Sequence, residues 1–248
     1  MGKQGEIGYF RAIGEAGQRH AAGRPFTDLC CGLYLARIGQ AMELLPPPPA
    51  RILDMGCGTG WTSAFLARRG YDVVGVDIAP DMIEAAKLAH PPAGLNLEFA
   101  VADYESMSYT EEFDGVLFFD SLHHAEDEGE ALRCAFQALR RGGVCVTSEP
   151  GIGHHETAES QRAIEDFGVN EKEMPPWKIT RLGRLAGFRE MRTYAHQGQI
   201  FSLLNLPPSP ERKGLIGLVA RTRPLRPVLA FLLMAFLKRW SGVVVLTR

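Results

Sequence analysis

The chain has 248 residues, 46% of them hydrophobic and 23% charged, which is enough to bury a full core in one large domain. Its formal net charge of -2 supplies no global basic field, so composition excludes nucleic acid as a partner drawn in by charge. The five cysteines, at 30, 31, 57, 134 and 145, form no C-x-x-C pair, and their odd number argues against a disulfide framework. They read as reduced thiols of a cytoplasmic protein. The N-terminus has no apolar signal region, and Glu6 stands where a myristoylation signal takes Ser or Thr, so secretion and lipidation are not expected. Residues 1–25 are rich in Gly, Arg and Ala and read as a mobile lead-in with a short helix over 8–20. From Thr27 onward, Leu29, Leu33, Tyr34, Ile38, Met42 and Leu45 recur at helical spacing. This predicts an amphipathic helix to about 45, with Thr27 or Asp28 as N-cap and the prolines at 46–49 ending it.

An apolar strand over 51–55 then breaks at Gly56, Gly58 and Gly60 and becomes a helix over 61–69. Glycines there let the chain turn tightly and let a ligand touch the backbone beside a helix N-terminus, which makes a pocket for a nucleoside-type ligand. Further strands are expected over 72–77, 95–101, 113–119 and 143–149, and helices over 80–89 and 127–140. Gly70 and the pair Gly142 and Gly143 fall where helix C-caps belong. Alternation of this kind predicts an α/β fold with a parallel sheet covered on both faces and right-handed crossovers.

After Pro150 the alternation stops. Residues 151–176 are polar, carry His154 and His155, and read as an excursion over the active-site edge. A helix over 179–186 capped by Gly187, a strand over 188–195 and a final β-branched strand over 243–246 follow. Between the last two strands, 200–240 contains an apolar run over 228–237 flanked by Arg221, Arg223, Arg226, Lys238 and Arg239. That run is too short to span a bilayer. It suits either a cover for the sheet edge or a dimer surface, or a helix lying on an anionic membrane and receiving a lipid-linked acceptor.

The glycine turn discriminates between ligands. A dinucleotide-binding turn takes G-x-G-x-x-G, and here the third glycine comes one residue early; a phosphate loop ends in Gly-Lys-Ser/Thr, which is missing. The stretch from Asp54 through Gly56, Cys57, Gly58 and Gly60, followed by Asp77, Asp103, the strand over 113–119 and the turn over 139–144, resembles the ordered motifs of the class I S-adenosylmethionine-dependent methyltransferases that act on small molecules. The resemblance implies a Rossmann-like, doubly wound seven-stranded sheet with an antiparallel last strand. It also implies S-adenosylmethionine as cofactor and S-adenosylhomocysteine as product. On its terms Asp77 accepts the ribose hydroxyls, Asp103 reads the adenine amino group, and Ile78 and Met82 pack on adenine. Asp54 fixes the turn and helps hold the cofactor's amino group, while Trp61, Thr62, Tyr104, Phe119 and Asp120 complete the cofactor wall. The implied layout is a helical cap over 1–49, the cofactor domain over 50–199 and 241–248, and the insertion over 200–240.

Methyl transfer from a sulfonium is an in-line displacement in which alignment supplies much of the catalysis, and a neutral hydroxyl acceptor gains from a base. His123 and His124, after the fourth strand, and His154 and His155, after the fifth, stand where ligands bind in open α/β sheets and can take a proton near neutral pH. Asp120, Glu126, Asp127 and Glu149 form no recognisable ligand set, so no metal is expected. The favoured function is O-methylation of a small molecule, with a saccharide or glycolipid hydroxyl as first acceptor. N-methylation and a non-catalytic cofactor-binding module at a membrane are the alternatives; the early Gly60 disfavours a nicotinamide oxidoreductase.

Overall fold

The computed structural model describes residues 2–197 and 241–248, together with positions 227, 228 and 232. But for those three positions, the readings placed on 200–240 fall outside the described residues. Three helices lead: α1 (Lys3–Ala12), α2 (Gly14–Ala22) and α3 (Cys31–Leu44). The alternating part follows as β1 (Arg51–Met55), α4 (Trp61–Arg69), β2 (Asp72–Asp77), α5 (Pro80–Ala89), β3 (Leu97–Val101), β4 (Phe113–Phe119), α6 (Glu128–Ala138) and β5 (Leu139–Ser148). The chain then runs through α7 (Ala158–Phe167), α8 (Pro176–Ala186), β6 (Glu190–Tyr194) and β7 (Val243–Thr247).

The seven strands make one sheet in the order β3-β2-β1-β4-β5-β7-β6. β1 to β5 pair in parallel, and β7 runs antiparallel to both β5 and β6. Successive strand residues point to opposite faces, so an apolar run feeds two cores. Leu53, Val74, Val116 and Phe118 meet Leu132 and Ala135 of α6 and Ile179 of α8 on one face. Ile52, Val73, Leu117 and Phe119 meet Ile38 and Ala41 of α3 and Ala64 and Leu66 of α4 on the other. Strand order reverses between β1 and β4, and the crevice at their carboxyl ends is where ligands bind in such sheets.

Several elements differ from expectation for local physical reasons. The lead-in is two helices, held by the Gly2 N–H on the Gly168 carbonyl at 3.1 Å, by Lys3 on Asp103 at 2.7 Å and by Tyr9 packed edge-on against Phe167. α3 starts at Cys31, not 27, because the Asp28 carboxylate accepts the Cys30 N–H at 2.8 Å in a turn ahead of it. Gly142 and Gly143 are no helix cap: α6 stops at Ala138, and fully buried Leu139 already pairs with Phe113 as the start of β5. α8 begins at 176 because Pro176 fits the first helical position, where its missing N–H costs nothing.

Candidate active site

A cavity of about 610 Å³ opens at the carboxyl ends of β1, β2 and β4. Its floor is the β1–α4 turn with Gly56, Cys57 and Gly58, continued by Trp61 and Thr62 of α4. Asp77, Ile78 and Met82 line it from β2 and α5, and Tyr104, Phe119 and Asp120 from the β3 and β4 ends. Gly58 has φ +52°, and a Cβ there would meet no atom within 4 Å, so the backbone faces open cavity. At Gly60 the requirement is different: a Cβ would stand 2.5 Å from the Phe99 ring, so this glycine serves close packing, and it does not line the cavity.

Asp77 braces the floor. Its two carboxylate oxygens accept the N–H groups of Gly58 and Ala79, each at 2.9 Å, and retain lone pairs for a diol. Burial pushes its carboxyl above the ordinary range against the pull of those two N–H groups. An open backbone turn, a strand-end carboxylate and the apolar Ile78 and Met82 together fit an adenosine-type cofactor. Asp54 sits elsewhere: it is 1% exposed, off the cavity wall, and accepts the Thr62 and Ser63 hydroxyls at 2.6 Å each. Burial, opposed by those hydroxyls, brings its carboxyl to about 6. Asp54 therefore ties β1 to α4. Asp103 is also off the wall, taken up by Lys3 and by the Glu105 N–H at 2.9 Å, which places it at the anchor of α1.

The histidines separate sharply. His123, His124 and His154 line the cavity, whereas His155 lies outside it, half-exposed beside Glu173. His123 Nδ1 donates to Glu149 Oε2 at 2.8 Å, and the same carboxylate accepts the N–H groups of Ser121 and Leu122 at 3.1 and 3.0 Å. His123 Nε2 stands 3.9 Å from Glu171 Oε2, beyond hydrogen-bond reach. Burial and then the charge of His124 lower the His123 value despite Glu149, so its ring is neutral at neutral pH. His154 Nε2 is 2.7 Å from Glu171 and is thereby occupied.

His124 carries the opposite charge state. Burial disfavours its protonated form, but Glu6, Glu171 and the Asn170 carbonyl outweigh that and raise it to about 9. His123, His124 and Glu171 offer ligand atoms within 4.8 Å of one another. The folded value lies above the ordinary 6.5, so the stabilisation is fully present below about pH 6.5 and is lost as pH rises through about 9. Denaturant titrations on either side of this window are expected to find a smaller loss in Glu6→Gln than in the parent. An unchanged pH dependence would remove Glu6 from this latch.

Residues not singled out from sequence complete the wall. Arg37 of α3 clasps Asp120 with two hydrogen bonds of 2.7 and 2.5 Å and donates to the Ser148 carbonyl at 2.9 Å. Asp120 is thus held in a left-handed conformation, φ +49°, as an ion-pair partner of Arg37. Glu6, Tyr9 and Ile13 of the N-terminal helices roof the cavity, and Thr59 donates to the Ala21 carbonyl at 2.7 Å, tying α2 to the turn. The spacing of Glu6, Tyr9 and Ile13 at three and four residues is the sequence signal that places them on one face.

Among the described residues no helix is long and apolar enough to cross a membrane. Residues 53–147 match the family described as Methyltransferase domain. The chain is similar to the ubiquinone biosynthesis O-methyltransferase of Azorhizobium caulinodans, 38% identical over 110 residues, 44% of each chain. Its counterpart from Xanthomonas axonopodis pv. citri is 33% identical over 114 residues, 45% of this chain and 48% of that one. The chain thus aligns with about half the length of these relatives. In fold it resembles an S-adenosylmethionine-dependent methyltransferase from Mesorhizobium loti, with TM-score 0.60, 22% identity, and 88% and 100% of the two chains covered. It also resembles Haemonchus contortus phosphoethanolamine N-methyltransferase 2 in complex with S-adenosylmethionine, with TM-score 0.59, 17% identity, and 86% and 52% covered. The seven-stranded sheet and the match over residues 53–147 agree on a methyltransferase-domain fold, shared with S-adenosylmethionine-dependent methyltransferases of known structure, and the glycine turn with Asp77 beside it fits such a cofactor.

Proposed function

We propose that the protein transfers a methyl group to a hydroxyl of a small molecule, with His123 as general base. The observation that carries this reading is the His123–Glu149 pair on the cavity wall. Glu149 fixes Nδ1 as the protonated nitrogen, which leaves the Nε2 lone pair for the acceptor. S-adenosylmethionine, when bound, supplies an electrophilic methyl group on a sulfonium. Within that frame His123 Nε2 takes the hydroxyl proton while the acceptor oxygen forms its bond to the methyl carbon and the carbon–sulfur bond breaks. The imidazolium formed lies between Glu149 at 2.8 Å and Glu171 at 3.9 Å, whose charges offset it. His124, already protonated, keeps His123 neutral before the reaction.

Support for oxygen over nitrogen comes from this base and from the matched relatives, which are named as O-methyltransferases. Trp61, Tyr34 and Phe119 form an aromatic wall, with Tyr34 and Phe119 each 5.3–6.2 Å from Trp61 between ring centres. It suits a flat, ring-bearing acceptor such as a phenol. A saccharide or glycolipid hydroxyl is the second reading, favoured by the polar wall of His154, Ser160 and Glu171. The test is transfer from methyl-labelled S-adenosylmethionine to a panel of phenols, sugars and amines. Label on a hydroxyl oxygen is the expected result. Label on amines alone overturns the base, and tight cofactor binding without transfer to any compound favours a non-catalytic module.

A further inference from the structure

Arg24, in the link between α2 and α3, lines the cavity with its guanidinium 5.2 Å from the centre of the Tyr34 ring. Its neighbour Arg37 spends Nε and both terminal nitrogens on Asp120 and Ser148. Arg24 is far less engaged. Its one hydrogen bond among the described residues runs from Nη2 to Tyr34 Oη at 3.5 Å, the outer limit of such a contact. The same Nη2 stands 3.5 Å from Asp28, a carboxylate that also lies 3.8 Å from His20 and accepts the Cys30 N–H. Nε is buried without a partner, whereas Nη1 is unpaired and keeps accessible surface on a side chain that is 37% exposed.

A guanidinium is always charged, and its planar fork of N–H donors matches a carboxylate. Arg37 and Asp120 show that match within the same wall. The place of Arg24 decides which molecule brings the carboxylate. Its contacts lie with Tyr34, part of the aromatic wall of Tyr34, Trp61 and Phe119, and none is made with Asp77, Ile78 or Met82 on the side that fits adenosine. A flat ring on that wall carries a carboxyl group in its own plane, so ring and anion meet adjacent groups. We propose that Arg24 binds a carboxylate on the acceptor through its terminal nitrogens, so that the site takes hydroxylated aromatic acids over uncharged phenols. This rests on the small-molecule O-methyltransferase reading above and names the substrate class of that site.

The test is binding of phenol and the hydroxybenzoate isomers to the full chain saturated with S-adenosylhomocysteine, measured by calorimetry. One hydroxybenzoate is expected to bind about tenfold more tightly than phenol, the worth of a charge-assisted contact at a partly exposed site. Arg24→Gln is expected to abolish that preference while phenol binds as before, and Arg24→Lys, which keeps the charge without the planar fork, to keep part of it. S-adenosylhomocysteine and methylthioadenosine, which lacks the amino-acid end, are titrated into each variant. Affinities equal to the parent's are expected for both, which shows that the chain is folded and that the cofactor's own carboxylate is held elsewhere. A preference that survives in Arg24→Gln, equal losses for phenol and the hydroxybenzoate, a parent protein that prefers no hydroxybenzoate, or a loss for S-adenosylhomocysteine that methylthioadenosine does not share would each overturn the proposal. No methyl transfer enters the measurement, so a failure of His123 as base leaves its outcome readable.

Discussion

Asp77→Ala is expected to weaken S-adenosylmethionine binding by about 10²–10⁴-fold, while thermal unfolding reports that the chain remains folded. The size follows from two hydrogen bonds to an ionised acceptor, each worth roughly 1.5–3 kcal/mol when made away from bulk water. A further loss comes from the floor itself, because the Gly58 and Ala79 N–H groups lose the carboxylate they share. Gly58 has nothing opposite it to hold the turn from the cavity side, so Asp77 is its brace, and the proposed ribose contact adds to that. Calorimetric titration of the cofactor checks this, and a change of less than about threefold would mean that the ribose lies elsewhere.

His123→Asn is the second large effect. Asparagine keeps a donor near Nδ1 for Glu149 and lacks the Nε2 base, so Glu149 stays paired while proton transfer is lost. The expected fall in kcat is about 10²–10⁴-fold, the usual contribution of a positioned general base, with cofactor affinity unchanged. An equal loss of cofactor binding would indicate a structural role for His123.

The alternation of strands and helices was legible because apolar runs bounded by glycine and proline leave few other arrangements. β1, β2 and β4 begin and end where their sequence pattern does. The cavity floor was legible for a related reason: Gly56, Gly58 and Asp77 lie within one strand–turn–helix unit and the strand beside it. What stayed hidden depends on partners far along the chain. His123 and His155 look alike in sequence, and what separates them is Glu149, 26 residues away, and the cavity that only folding creates. Asp103 follows a familiar motif, but Lys3, 100 residues earlier, occupies it. The N-terminal helices carry too many glycines and alanines for a clear periodicity, and tertiary anchors at Glu6, Tyr9 and Thr59 order them instead. Arg37 reads as an ordinary helix cation until Asp120 arrives from β4.

The most direct measurement of the central claim, that His123 held by Glu149 is the base, is the pH dependence of kcat/KM for methyl transfer in the parent and in His123→Asn. Burial and the neighbouring charge of His124 lower the His123 value below the ordinary 6.5. The parent rate is therefore expected to be level at neutral pH and to fall only in acid, where the ring takes up a proton before the acceptor can give one. In His123→Asn the rate should be low throughout and that acid limb absent. The same acid limb in the variant, or a rate equal to the parent's, would contradict the account.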